Sequence, residues 1–230
     1  MKLSKDLVNK TIYLSLSVQI VTTIVSFDGL RYNLNEKDKI LHDILKLELF
    51  VQLVEAVFYI WIIYGLKDFN KMTSRRYIDW AITTPTMLIS TIAYMKYQEH
   101  KESNSDVFIT DIYSFIRENK NNIQKIVIYN GLMLLFGYLG ETNVLDKNIS
   151  VSIGFIFFYL SFNTVYQEYA KKSIEGKQLF NVLVTLWSLY GISAILEPIK
   201  KNISYNILDV FSKNFYGLFI YYKIRNINYE

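Results

Sequence analysis

Apolar and polar positions divide the chain into seven apolar stretches with short polar connections. The stretches run approximately over 5–27, 38–65, 72–97, 122–140, 147–170, 176–199 and 203–226. Each is close to the ~20 residues that a helix needs to cross a bilayer. The second opens on a polar turn, Asp38, Lys39, His42 and Asp43, which is expected to protrude from the membrane. Connections run from Asp28-Gly29 to Lys37, Lys67 to Lys71, Glu141 to Asp146 and Lys171 to Lys177, and through Lys200-Lys201-Asn202. No internal repeat or linker divides the sequence, so residues 1–230 read as one all-α membrane domain, a seven-transmembrane-helix bundle.

The longest connection, Gln98 to Asn121, has a pattern of its own. Phe108, Ile109, Ile112, Phe115 and Ile116 recur at helical spacing, against Asp106, Asp111, Arg117 and Glu118. A segment over 106–119 is too charged to span and suits an amphipathic helix lying in the interface. Packing on the rim of the bundle itself is the alternative.

Composition agrees with a membrane protein. Hydrophobic residues make up 51% of the 230, aromatics 16%, and there are only 2 prolines and 9 glycines, less turn punctuation than a soluble domain of this size carries. The net charge of +4 is too small and too scattered to argue for nucleic acid. The absence of cysteine excludes disulfides and thiolate metal sites, and His42 and His100 alone cannot make a multi-histidine centre, so no metal and no catalytic site is expected. Met1-Lys2-Leu3-Ser4-Lys5 lacks a small-residue cleavage site and reads as part of the mature protein. With the N-terminus outside and the C-terminus in the cytoplasm, about 12 Lys/Arg fall inside and about 9 outside, a weak bias in the required direction.

The ionisable residues within the apolar stretches carry more information. Asp209 and Lys213 stand four apart in the last stretch, one helical turn apart on one face. Each charge alone would cost about 2.5–3.5 kcal/mol on insertion scales. The pair is either a self-neutralising structural contact or a functional centre. Glu48 and Glu55, seven apart in the second stretch, also share a face and need water or partners there.

Further motifs bear on that choice. The third stretch reads Arg76-Tyr77-Ile78-Asp79-Trp80-Ala81-Ile82-Thr83-Thr84-Pro85. The fourth holds Asn130-Gly131-Leu132-Met133 with Gly137, the sixth Leu186-Trp187-Ser188 with Tyr190, and the seventh Leu208, Asp209, Val210, Lys213 and Gly217. In this order they resemble the third, fourth, sixth and seventh helices of microbial (type I) rhodopsins. The resemblance implies that Lys213 carries all-trans retinal as a protonated Schiff base, with Asp79 and Asp209 as counterions or proton acceptors and Arg76 beside them. It implies Tyr59 and Tyr190 as hydrogen-bond partners of Asp209. Trp80, Thr83, Thr84, Met133, Gly137, Trp187 and Tyr190 would line the retinal pocket. Trp61 matches nothing in the family and reads as an interfacial belt residue.

Pumping members of that family carry a carboxylate as internal proton donor where this chain has Ser90, and a serine hydroxyl cannot return a proton as a carboxylic acid would. Gly191 and Ala194 also stand where pumps have proline and a third pocket tryptophan, which is expected to loosen that end of the pocket. The run Ser212-Lys213-Asn214, with Tyr216 before Gly217, is similar to the seventh helix of channelrhodopsins, where the asparagine joins a serine and a glutamate in a central gate. Ser15, continued by Gln19 and Thr22, is the expected serine, with Ser17 as competitor. Glu55 would sit at the level of Lys213, and Glu48 with Tyr221 would form an inner constriction. Asn130 and Thr84 are expected to pair between the third and fourth helices and to tune the open-state lifetime. A stripe of Ser, Gln, Thr and Glu also serves as interhelical glue.

Among microbial rhodopsins, those of giant algal viruses (viral rhodopsin group 1, the viral channelrhodopsins) fit best. They are compact and bear an amphipathic helix in the second cytoplasmic loop. The resemblance implies a multi-pass photoreceptor that conducts monovalent cations or protons under light, is not an enzyme, and is a homo-oligomer, as many relatives are. An outward proton pump, a photosensor and a retinal-free transporter are the alternatives.

Overall fold

The structure, a computed structural model, describes residues 5–65 and 71–227. The start of the chain and most of the expected Lys67–Lys71 connection lie outside the described residues. The helices are α1 (Lys5–Asp28), α2 (Ile40–Gly65), α3 (Met72–Glu102), the short α4 (Ile112–Glu118), α5 (Lys120–Glu141), α6 (Lys147–Glu168), α7 (Ile174–Ala194), α8 (Pro198–Asp209) and α9 (Phe215–Ile227). A wide π-helical turn, Val210–Asn214, joins α8 to α9, so residues 198–227 form one continuous seventh span. Neighbours pack in the order α1, α2, α3, α5, α6, α7, with the seventh span closing the ring against α1, α2 and α7.

The apolar pattern is turned outward. On α1 and α2, Val21, Ile24, Leu53 and Val57 are each at least 60% exposed, while Ser15, Gln19, Thr22, Ser26, Glu48, Gln52 and Glu55 are buried. Such an arrangement is stable only where lipid replaces water around the bundle. α1, α2, α5 and α6 are long and apolar enough to cross a membrane by length and composition. α3 and the seventh span carry the buried arginine, aspartates and lysine, which lowers their hydropathy.

Three boundaries differ from the expected ones. One is that of α3, which runs on to Glu102 rather than 97. α7 ends at Ala194 rather than near 199, because Pro198 occupies the first turn of α8 and holds Glu197 extended (φ −60°, ψ 150°). The helix expected over 106–119 is only α4, and residues 107–111 are non-helical. Asp111 is extended (φ −162°, ψ 168°) and caps α4 by accepting from the backbone of Tyr113 at 2.8 Å and Ser114 at 2.9 Å. The bonds from Ser114 hold its carboxyl below the usual carboxylate range. Ile112 and Phe115, the apolar face of α4, are buried in the bundle core, Phe115 with its ring 6.3 Å from that of Tyr169.

Candidate functional site

Three spans, α2, α3 and the seventh, bring charge to one point halfway along the bundle. The π turn places Lys213 so that its Nζ lies 2.6 Å from Asp79 Oδ2 on α3. Glu55 Oε1 on α2 and Asp209 Oδ1 at the end of α8 both lie 3.8 Å from it. All four side chains are at most 2% exposed. The turn fits one additional residue, so the Phe215 amide donates to the Val210 carbonyl five residues back. π turns of this kind concentrate at functional sites.

Asp209 has two hydroxyl donors and one cation. Tyr59 donates to Oδ2 at 2.7 Å, Tyr190 to Oδ1 at 2.7 Å, and Arg76 Nη1 pairs with Oδ2 at 3.0 Å. Arg76 also donates to Asn206 Oδ1 and, at 3.5 Å, to Asn202 Oδ1. Two buried cations thus meet three buried carboxylates.

An apolar cavity of about 110 Å³ opens from Lys213 toward α5, α6 and α7. Trp80, Thr84, Met133, Gly137, Trp187 and Tyr190 line it, as do Phe155, Phe158, Met87 and Tyr205, which sequence reasoning had not singled out. Gly191 and Ala194 also line it, and the Phe155 ring lies 2.5 Å from where a Gly191 Cβ would stand. Thr83 does not line the cavity; its hydroxyl bonds back to the Asp79 carbonyl at 3.0 Å. A long apolar slot that ends at a buried amine ringed by carboxylates fits a polyene aldehyde bound through that amine.

A polar stripe continues from Lys213 toward the end of the bundle that carries the C-terminus. Gln19 donates to Glu55 Oε2 at 2.8 Å, Thr22 to Asn214 Oδ1 at 2.9 Å, and Ser90 to Glu48 Oε1. Gly217 lets Gln52 cross the last span, since a Cβ there would stand 2.2 Å from Gln52 Nε2. Asn130 donates to Thr84 Oγ1 at 2.8 Å, which joins α5 to α3.

One expected placement is corrected here, that of Tyr221. Ser15 is buried and Ser17 exposed; Gln19 and Thr22, one and two turns along from Ser15, meet Glu55 and Asn214. Tyr221 packs on Gly29 and on Tyr32, ring centroids 6.4 Å apart, at the turn between α1 and α2. The hydroxyl that faces Glu48 from the last span is that of Tyr216. Asn202 and Asn206 were missed. Their signal was legible: with Asp209 and Lys213 they repeat at four, three and four residues along one face.

The model of the bacteriorhodopsin-like protein family matches residues 8–227. Viral rhodopsin OLPVRII is similar over 96% of this chain and 99% of its own, with 27% identity and a TM-score of 0.81. The blue light-absorbing proteorhodopsin from Med12 is 21% identical over 97% of this chain and 99% of its own (TM-score 0.69). The light-driven proton pump LR (Mac) from Leptosphaeria maculans is 16% identical over 97% and 98% (TM-score 0.69). No curated protein matches the chain.

Proposed function

Since the chain belongs to the bacteriorhodopsin-like family and its cofactor is therefore retinal joined to a lysine, we propose that it is a light-gated channel for monovalent cations, with Lys213 as that lysine. Retinal supplies light absorption and a change of shape at the Lys213 nitrogen. Asp79 Oδ2, at 2.6 Å, is placed to take the proton from that nitrogen. Asp209 is held in place beside that nitrogen by Tyr59, Tyr190 and Arg76.

The observation that carries the channel reading is the stripe of unpaired polar atoms between α1, α2 and the last span. Gln19 Oε1, Ser26 Oγ, Glu48 Oε2, Gln52 Nε2, Glu55 Oε1 and Asn214 Nδ2 are all buried without a hydrogen-bond partner among the described residues. Buried polar atoms are rarely left so, and a row of them is a path that gains free energy when water enters. Its carboxylates favour cations over anions. We read the chain as one domain with the N-terminus outside, the C-terminus in the cytoplasm, no chemical turnover and homo-oligomeric assembly.

One observation favours an outward proton pump. Ser90 bonds to Glu48, which restores a carboxyl group at the level where α3 lacks one. Current–voltage curves under illumination separate the two readings. Photocurrent that reverses sign with voltage supports the channel, and current that stays outward at every voltage supports the pump.

A further inference from the structure

Arg76 is completely buried with five N–H donors to satisfy. One carboxylate, Asp209, takes Nη1 at 3.0 Å. Nη2 goes to Asn206 Oδ1, and Nε reaches Asn202 Oδ1 at 3.5 Å. The rings of Phe58, Tyr59 and Tyr205 surround the guanidinium, each with its centroid 5.6–5.7 Å away.

The two asparagines are themselves oriented from behind. Asn206 Nδ2 donates to Thr11 Oγ1 at 2.8 Å, and Thr11 spends its own proton on the Val8 carbonyl at 2.8 Å, so that oxygen can only accept. Asn202 Nδ2 donates to the Pro198 carbonyl at 2.9 Å and to Thr73 Oγ1 at 3.2 Å. With both NH₂ groups committed to acceptors, both amide oxygens must face the arginine; a flipped amide would set donor against donor. The amides also accept without adding charge. Asp209 remains the only carboxylate within ion-pairing distance of Arg76 among the described residues, and Lys213 keeps the 2.6 Å contact with Asp79.

We propose that Asn206, seconded by Asn202, is the positioning residue that seats the Arg76 guanidinium on Asp209 and so closes the half of the bundle between α1, α3 and α8 that carries the N-terminus. This rests on the assignment of Lys213, Asp79 and Asp209 as the light-absorbing centre, and it holds whether the protein is a channel or a pump. The hand-over is a sequence of contacts across three helices: Thr11 on α1 fixes Asn206 on α8, and Asn206 fixes Arg76 on α3.

The acid-induced colour change of the visible band reads the seat, because it reports protonation of the carboxylates beside Lys213. The groups that face this centre are Glu55 and Tyr59 from α2, Arg76 and Asp79 from α3, Tyr190 from α7, Tyr205 and Asp209 from α8, and Lys213 from the π turn; α1 offers only the neutral Thr11, Ser15 and Gln19. An arginine held on Asp209 favours the charged carboxylates, so releasing it makes them easier to protonate. In the full chain in lipid nanodiscs with all-trans retinal, Asn206→Ala should move the midpoint of the colour change to higher pH by about one unit, a tenfold change in proton affinity. Asn202→Ala should move it less. In an Arg76→Gln background, Asn206→Ala should add nothing, because its effect passes through the arginine.

An unchanged midpoint in Asn206→Ala beside a shifted one in Arg76→Gln would overturn the proposal, and so would shifts that simply add. Should Asn206→Ala yield too little pigment, Asn206→Ser, which keeps an acceptor oxygen at shorter reach, carries the same test with a smaller upward shift expected. A wild-type chain that forms no visible band refutes the retinal reading instead.

Discussion

The two halves of the bundle on either side of Lys213 treat their buried polar groups in opposite ways. Toward the N-terminus, Arg76, Asp209, Asn206, Asn202, Tyr59 and Thr11 form a closed network across α1, α2, α3 and α8. Toward the C-terminus, Glu48, Gln52, Asn214 and Ser26 each keep at least one buried atom without a partner among the described residues. A satisfied network is rigid and costly to open, whereas an unsatisfied one is ready to take up water. In the proposed channel, light therefore needs to unlock one half and only to wet the other.

Several substitutions would break or sharpen this contrast, and the largest effect is expected at the junction. Lys213→Ala should abolish the visible band formed with retinal; a band that persists would end the assignment of the lysine. In the closed half, Arg76→Gln removes the nearer of the two cations beside Asp209, at 3.0 Å against 3.8 Å for Lys213, and should cost about 3 kcal/mol, read as a clear fall in thermal midpoint in detergent. Loss of less than about 1 kcal/mol would mean that this half is not the rigid one. In the open half, Asn214→Ala removes one bond to Thr22 and should cost only about 1 kcal/mol, while it alters photocurrent amplitude severalfold. The smallest stability effect, about 0.6 kcal/mol, is expected for Asn130→Ala, which deletes the bond to Thr84 between α5 and α3. Its signature should be a changed lifetime of the photocurrent after the light is switched off.

The sequence is informative about residues on one helix and poor about partners on two. Asp209 and Lys213 at four residues, or Glu48 and Glu55 at seven, share a face by helical geometry alone. Which residue of α1 bonds to Asn214 depends on the axial offset of two helices, and Thr22, two turns along the same face from Ser15, does so. Tyr216 and Tyr221 differ by five residues, so they are easily exchanged when the offset of the last span is unknown. The π turn that carries Lys213 has no local signature, since Val210-Phe211-Ser212-Lys213-Asn214 would suit an ordinary helix. In the 98–121 connection, apolar periodicity overstated the helix, and Asp111 as an N-cap set its true start at Ile112. The chain ends of α7 and α8 followed local chemistry at Pro198, which periodicity does not register.

The central claim is passive cation conduction under light, and the reversal potential of the photocurrent tests it most directly. In cells that express the retinal-bound protein, a tenfold reduction of external sodium should move the reversal potential to more negative voltages, toward the limit of about 59 mV for a single-charge carrier. A photocurrent that stays outward at all voltages and ignores the sodium gradient would contradict the claim.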